Sequence, residues 1–194
     1  MKFSDFFLKN IKYSIENLDK KKIEKIVNIL LKLRNKNGRL FIIGVGGSAG
    51  NASHAVNDFR KLCNIDTYTP VDNISEITAK TNDEGFDTIF DSYLKLCKIN
   101  SNDVLMVFSV GGGNLKKKVS VNLVNAIKFA KKRKSKIISI VGKKNGYAYK
   151  NSNISILIEV KNSILVTPIS ETFQVLIWHL LVSHPKLQKN KTKW

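Results

Sequence analysis

The chain has 194 residues, and 33 Lys and Arg against 15 Asp and Glu leave a formal net charge of +18. An apolar content of 43% can supply one sizeable core, which excludes disorder as a description of the whole chain and favours a single domain. Lysine supplies 29 of the basic residues and arginine only four, Arg34, Arg39, Arg60 and Arg133, whereas surfaces that read phosphate backbones favour the arginine fork.

Asp19 is placed to cap the second of two amphipathic N-terminal helices, the first carrying Phe3, Phe6, Phe7, Ile11 and Ile15, the second Ile23, Ile26, Ile29, Leu30 and Leu33. Leu40 to Val45 is a continuous apolar run, as expected of a strand buried on both faces, and Gly46-Gly47-Ser48 follows at once before a helix to about Leu62. Val104 to Phe108 repeats the pattern, ending in Ser109-Val110-Gly111-Gly112-Gly113-Asn114 ahead of a helix over Val121 to Lys132. Lys136 to Val141 and Ile154 to Val160 read as further strands, and a last helix runs from about Pro168 to Ser183. Strands alternating with helices predict an α/β fold with a parallel sheet covered on both faces, and ligands in such sheets bind beyond the carboxyl ends of the strands. The segment from Pro185, rich in lysine, reads as a solvated tail.

Cys63 and Cys97 have no CxxC or histidine companions, so the sequence suggests neither a disulfide framework nor a cysteine-rich zinc site. The N-terminus breaks its apolar residues with charges and lacks a signal-peptide core, and no run reads as a membrane span. A cytoplasmic address is the expectation. With no helix-turn-helix or aromatic stacking platform, and with lysines spread along the chain, nucleic acid is not expected as a partner.

The chemistry-bearing residues cluster around the glycine turns. Gly46, Gly47 and Ser48 open a helix directly after a strand, offering free amides and a hydroxyl, but without the lysine of a P-loop or the spacing of a dinucleotide site. Ser109, Val110, Gly111 and Asn114 frame a second candidate cradle. His54 and Asp58 lie four apart on the helix after the first turn, which suits joint metal ligation or an acid beside a base. Glu171 and His179 share the last helix, about 12 Å apart along its axis at 1.5 Å per residue, so they reach one ligand only at their limit. Asn82-Asp83-Glu84-Gly85 reads as a helix cap and turn.

Taken in order, the Gly-x-Gly-Gly-Ser turn with His54 behind it, the Asn82-Asp83 turn, the Ser109 loop and the terminal helix with His179 resemble the sugar isomerase (SIS) domain family, specifically its bacterial phosphoheptose isomerases. The resemblance covers residues 1–185, leaves 186–194 as a basic tail, and assigns the helices within 1–37 to oligomer packing. It implies a three-layer sandwich around a five-stranded parallel sheet, a homotetramer, and conversion of sedoheptulose 7-phosphate to a heptose 7-phosphate for surface polysaccharide. It further implies zinc on His54, Asp58, Glu171 and His179, and substrate held by Gly46, Gly47, Ser48, Asn82, Asp83, Ser109, Val110, Gly111 and Asn114 together with Asp58 and Glu171. Asp58, with Glu171 as rival, would be the catalytic base, and His179 the acid. The chain departs from the family in Val45 for Asn, Asp58 for Glu and Glu171 for Gln. Those departures motivate a second expectation, a non-catalytic sugar-phosphate-binding or protein-interaction module of the same fold.

Overall fold

The computed structural model describes residues 2–192. Strands β1 (Leu40–Ile43), β2 (Thr67–Tyr68), β3 (Val104–Ser109), β4 (Lys136–Val141) and β5 (Ile154–Leu157) pair in the order β2-β1-β3-β4-β5, every pair parallel. The helices are α1 (Phe3–Glu16), α2 (Lys20–Asn35), α3 (Gly47–Cys63), α4 (Ile74–Glu84), α5 (Ile89–Leu96), α6 (Val121–Lys132), α7 (Tyr147–Asn151) and α8 (Val166–Val182).

Successive strand residues point to opposite faces, and both faces of this sheet are dry. Leu40, Ile42, Val104, Met106, Ile138 and Ile140 pack with α2, α3 and α8, while Phe41, Ile43, Leu105, Val107, Ile137 and Val141 pack with α5 and α6. The result is the expected three-layer α/β sandwich with a five-stranded parallel sheet. Asp19 caps α2, its side chain accepting from the Lys22 amide at 3.0 Å. At the amino edge of the sheet Asp103, almost fully buried, accepts from the Arg39 amide and, at 2.7 Å, from its guanidinium. That hydrogen bond holds the Arg39 side chain above the ordinary guanidinium pKa and ties β1 to β3.

Four elements escape the apolar pattern for physical reasons. β2 is two residues long, α7 is five, α5 is a short helix with Ile89, Phe90 and Leu94 buried, and α4 buries no residue, so it has no core-facing stripe to detect. The N-terminal helices divide: α2 is a core helix, whereas α1 leaves Phe3, Leu8 and Ile15 exposed and buries Asn10 and Ser14 instead. Helical residues Ser163–Val182 are, by length and composition, apolar enough to cross a membrane, contrary to the expectation that no run would be. Here Ile169, Phe173, Ile177, Trp178, Leu181 and Val182 of that stretch are buried in the core of the sandwich.

The C-terminal segment is also unlike the solvated tail expected. Leu187 is completely buried, and Arg34 donates to the carbonyls of Leu187 at 2.6 Å, Lys186 at 3.0 Å and Cys63 at 2.9 Å. The amides of Lys189 and Asn190 both bond the Leu62 carbonyl. A clamp of turns of this sort closes the end of α3 and cannot be seen in a lysine count. Leu187→Ala is therefore expected to cost about 2–4 kcal/mol, read from urea denaturation, where a surface residue would cost almost nothing. Cys63 lies in the same region without solvent exposure, and burial pushes its thiol up to about 12. It stays protonated at neutral pH and should resist iodoacetamide until the protein unfolds, as peptide mass mapping before and after urea would record.

Candidate functional site

The strand order reverses between β1 and β3, since the chain leaves β1 outward to β2 and leaves β3 the other way to β4. A crevice opens at the carboxyl edge where such a reversal occurs. Both glycine turns flank it, one after β1 and one after β3.

At the first turn Gly46 adopts φ 63° and ψ −130°, a conformation closed to side-chain-bearing residues, and this swings the chain into α3. The Ser48 hydroxyl does not reach outward as expected: it is buried and accepts from Gln174 Nε2 of α8 at 3.0 Å. Gln174 also accepts from Asn51 at 2.8 Å, and Asn51 bonds the Glu171 carbonyl at 3.0 Å, so the start of α3 is laced to α8. Glu171 lies apart from the two histidines. A Cβ added at Gly47 would come within 2.6–2.7 Å of its carboxylate, so this anion sits directly on the amino end of α3. It uses the partial positive charge that a phosphate would otherwise take there.

The second turn remains open to an anion. The Ser109 hydroxyl accepts from the Gly112 amide at 2.9 Å, the Val110 carbonyl accepts from Gly142, and the Gly112 and Gly113 carbonyls accept from the Ala148 and Tyr147 amides that begin α7. Gly112 and Gly113 have φ of 72° and 79°, which this path requires. Among the described residues, the amides of Gly111 and Gly113 take no partner within the fold. Asn114 closes the loop, its side-chain oxygen accepting from Lys117 and its backbone pairing with Val119, which leaves Lys116, Lys117 and Lys118 exposed beside the cradle.

Along α3 from Gly47, seven residues and so about 10 Å at 1.5 Å per residue, His54 meets Asp58 and His179. Asp58 Oδ2 is 3.6 Å from His54 Nε2 and 3.4 Å from His179 Nε2, and it accepts from Trp178 Nε1 at 3.0 Å. Asp58 Oδ1 accepts from Asn57, at 3.1 Å. Asp58 is buried while both imidazoles are exposed on a cavity of about 290 Å³ lined by Asn57, Lys61, Leu62, Val182, Ser183 and Thr192 besides the three.

These three side chains suit a divalent metal: two imidazole nitrogens and a carboxylate oxygen lie within 4.8 Å of one another. Zinc bonds of about 2.0–2.1 Å at tetrahedral angles separate donor atoms by roughly 3.3–3.4 Å, close to the two Asp58–imidazole distances of 3.6 and 3.4 Å, and three protein ligands is the number found in catalytic zinc sites. Of the four expected ligands, Glu171 is the one not brought to the cluster. Asn82 and Asp83 are exposed in the last turn of α4, where Asn82 bonds Asp83 at 2.8 Å. Zinc titration by calorimetry should accordingly lose its signal in His54→Ala and His179→Ala and keep it in Glu171→Gln. Equal loss in all three would contradict the three-ligand set.

Residues 6–142 match the SIS domain family, which is more than half of the chain. A phosphoheptose isomerase from Buchnera aphidicola is 32% identical over 156 residues, 78% of this chain and 74% of that protein. The lincomycin biosynthesis protein LmbN of Streptomyces lincolnensis is also 32% identical, over 76% of this chain but 56% of its own length, so the chain spans little more than half of it. A solved structure of phosphoheptose isomerase from Neisseria gonorrhoeae superposes with a TM-score of 0.78 at 21% identity, covering 92% of each chain, a likeness of fold. With its glycine-flanked crevice at the β1–β3 reversal and the match along residues 6–142, the chain belongs to the SIS domain family.

Proposed function

We propose that the protein is a ketose–aldose isomerase of the phosphoheptose type, converting sedoheptulose 7-phosphate to D-glycero-D-manno-heptose 7-phosphate for surface polysaccharide. The single observation that carries the reading is the convergence of His54, Asp58 and His179 about 10 Å along α3 from the glycine-flanked crevice. An extended seven-carbon sugar phosphate has the length to join the two. What places the phosphate at the β3 turn is charge: Glu171 occupies the start of α3, while Gly111 and Gly113 offer free amides with lysines beside them. Its C1–C2 end then reaches the cluster, and Glu171, with Gly46 and Gly47, faces the hydroxyls between. Asn82 and Asp83 stay in the proposed substrate set as residues of α4 that approach bound sugar.

In this pose Asp58 is the base and Glu171 is too far along the helix to serve. The Trp178 N–H holds Asp58 Oδ2, and Oδ1, which accepts from Asn57, takes a proton from C1 and returns it to C2. His179, about half exposed, is the group to carry the hydroxyl proton from O1 to O2 wherever its imidazole is not taken by a metal. His54, Asp58 and His179 would hold a zinc ion, which would supply Lewis-acid polarisation of the ketose carbonyl. Free cysteines and a phosphorylated substrate agree with a reducing, cytoplasmic setting.

The homotetramer is proposed as well, with α1 as the contact, because Phe3, Leu8 and Ile15 are apolar and uncovered in the single chain. Light scattering on Phe3→Ser/Leu8→Ser should show a smaller assembly than the parent protein, and an unchanged mass would remove α1 from the contact.

The activity itself is tested by incubating the protein with sedoheptulose 7-phosphate and following aldose formation by NMR. Asp58→Asn and His179→Ala are expected to lower kcat by about 10²–10⁴-fold. Glu171→Gln should keep kcat within about tenfold of the parent value and act mainly on KM, the pattern for a group that binds substrate without entering the proton transfer. Absence of aldose product with zinc present, beside an active control isomerase, would favour the non-catalytic sugar-phosphate-binding reading.

A further inference from the structure

We infer that Trp178 is a positioning residue, whose indole N–H fixes the Asp58 carboxylate at the one place both imidazoles reach. The inference rests on the metal-site reading for its consequence, while the contacts themselves stand apart from it.

Trp178 is only 1% exposed, and an indole nitrogen can donate but never accept, so once buried it needs an acceptor. The acceptor it finds is Asp58 Oδ2, at 3.0 Å, the same oxygen that faces His54 and His179. The indole ring also fills the space behind the cluster, its centroid 5.3 Å from that of His54 and 5.1 Å from that of His179. One side chain therefore sets the carboxylate and supports both imidazoles.

The ring is itself held by the sheet. It stacks on Phe108 with centroids 6.0 Å apart and planes inclined by 19°, and Phe108 is the β3 residue immediately before Ser109. A metal ligand braced through a buried ring on a central strand is placed more accurately than one carried on a loop. The chemistry of Asp58 makes the brace useful. Its side chain is one methylene shorter than a glutamate, so it meets the two imidazoles only with its carboxylate turned and kept toward α8, and the indole N–H keeps it there.

Trp178→Phe retains an aromatic ring and removes the N–H. The expected result is a zinc dissociation constant raised by about 10–100-fold, the usual effect of deleting a hydrogen bond behind a metal ligand, in protein whose circular dichroism is unchanged. A structural role alone would lower thermal stability without moving the metal affinity of the folded form. Unaltered zinc affinity in Trp178→Phe would overturn the inference.

A second measurement decides the matter if that variant folds poorly. The protein has two tryptophans, Trp178 and Trp194, so its indole N–H region in a ¹⁵N-correlated NMR spectrum is simple. One indole proton should be protected from exchange with water, move on addition of zinc, and lose protection in Asp58→Ala. Two freely exchanging indole protons in the parent protein would overturn the inference. Tight zinc binding that weakens in Trp178→Phe, in a protein that turns over no sugar phosphate, would sink the isomerase reading and leave this one standing.

Discussion

A carboxylate removed from water must be answered by donors, and the seam between α3 and α8 is arranged around that requirement at Asp58. The indole of Trp178 and the side-chain amide of Asn57 meet it as donors, and the imidazoles of His54 and His179 stand 3.6 and 3.4 Å from the same carboxylate, on two helices that are remote in sequence. Burying an acidic side chain costs stability unless every lone pair is used, so the seam has little freedom to slide. A shift of one turn along α8 would leave Asp58 without its indole and Ser48 without Gln174. The polar lacing at the start of α3, through Asn51, Ser48 and Gln174, fixes the same register from the other end.

That register decides how the two ends of the site are spaced. The glycine turns lie on the sheet's carboxyl edge because β1 and β3 are adjacent and parallel, and the cluster of His54, Asp58 and His179 lies along α3 because His54 and Asp58 are one turn apart. The proposed pose follows from charge: Glu171 over Gly47 sets an anion at the first turn, and the lysines after Asn114 set cations at the second. The large positive charge of the chain is thus a background that draws anions inward over about a Debye length of 10 Å, and the placement of one carboxylate chooses between the turns.

Much of the fold was legible in the linear pattern. The apolar run Leu40 to Val45 and the largely apolar runs Val104 to Phe108 and Lys136 to Val141 announced strands buried on both faces, and glycine after each announced a parallel sheet with its turns at one edge. The short elements were silent because they bury little: β2 has two residues and α4 buries none. The tail misled, since its lysines describe solvent contacts while Leu187 and the backbone of Lys189 and Asn190 do the packing. A buried tryptophan beside His179 was a signal that could have been read, because its N–H has to find an acceptor, but which acceptor is a question of distance in space.

The sequence by itself determined the fold class, the two candidate cradles and the pairing of His54 with Asp58, because periodicity and the four-residue helical repeat are local properties of the chain. Only the tertiary structure decided that His179 joins them while Glu171 does not, that Ser48 turns inward, and that Glu171 claims the start of α3. The physical reason is that α8 lies more than a hundred residues beyond α3, and the angle and register of two packed helices are set by side chains filling one seam, which no local spacing encodes.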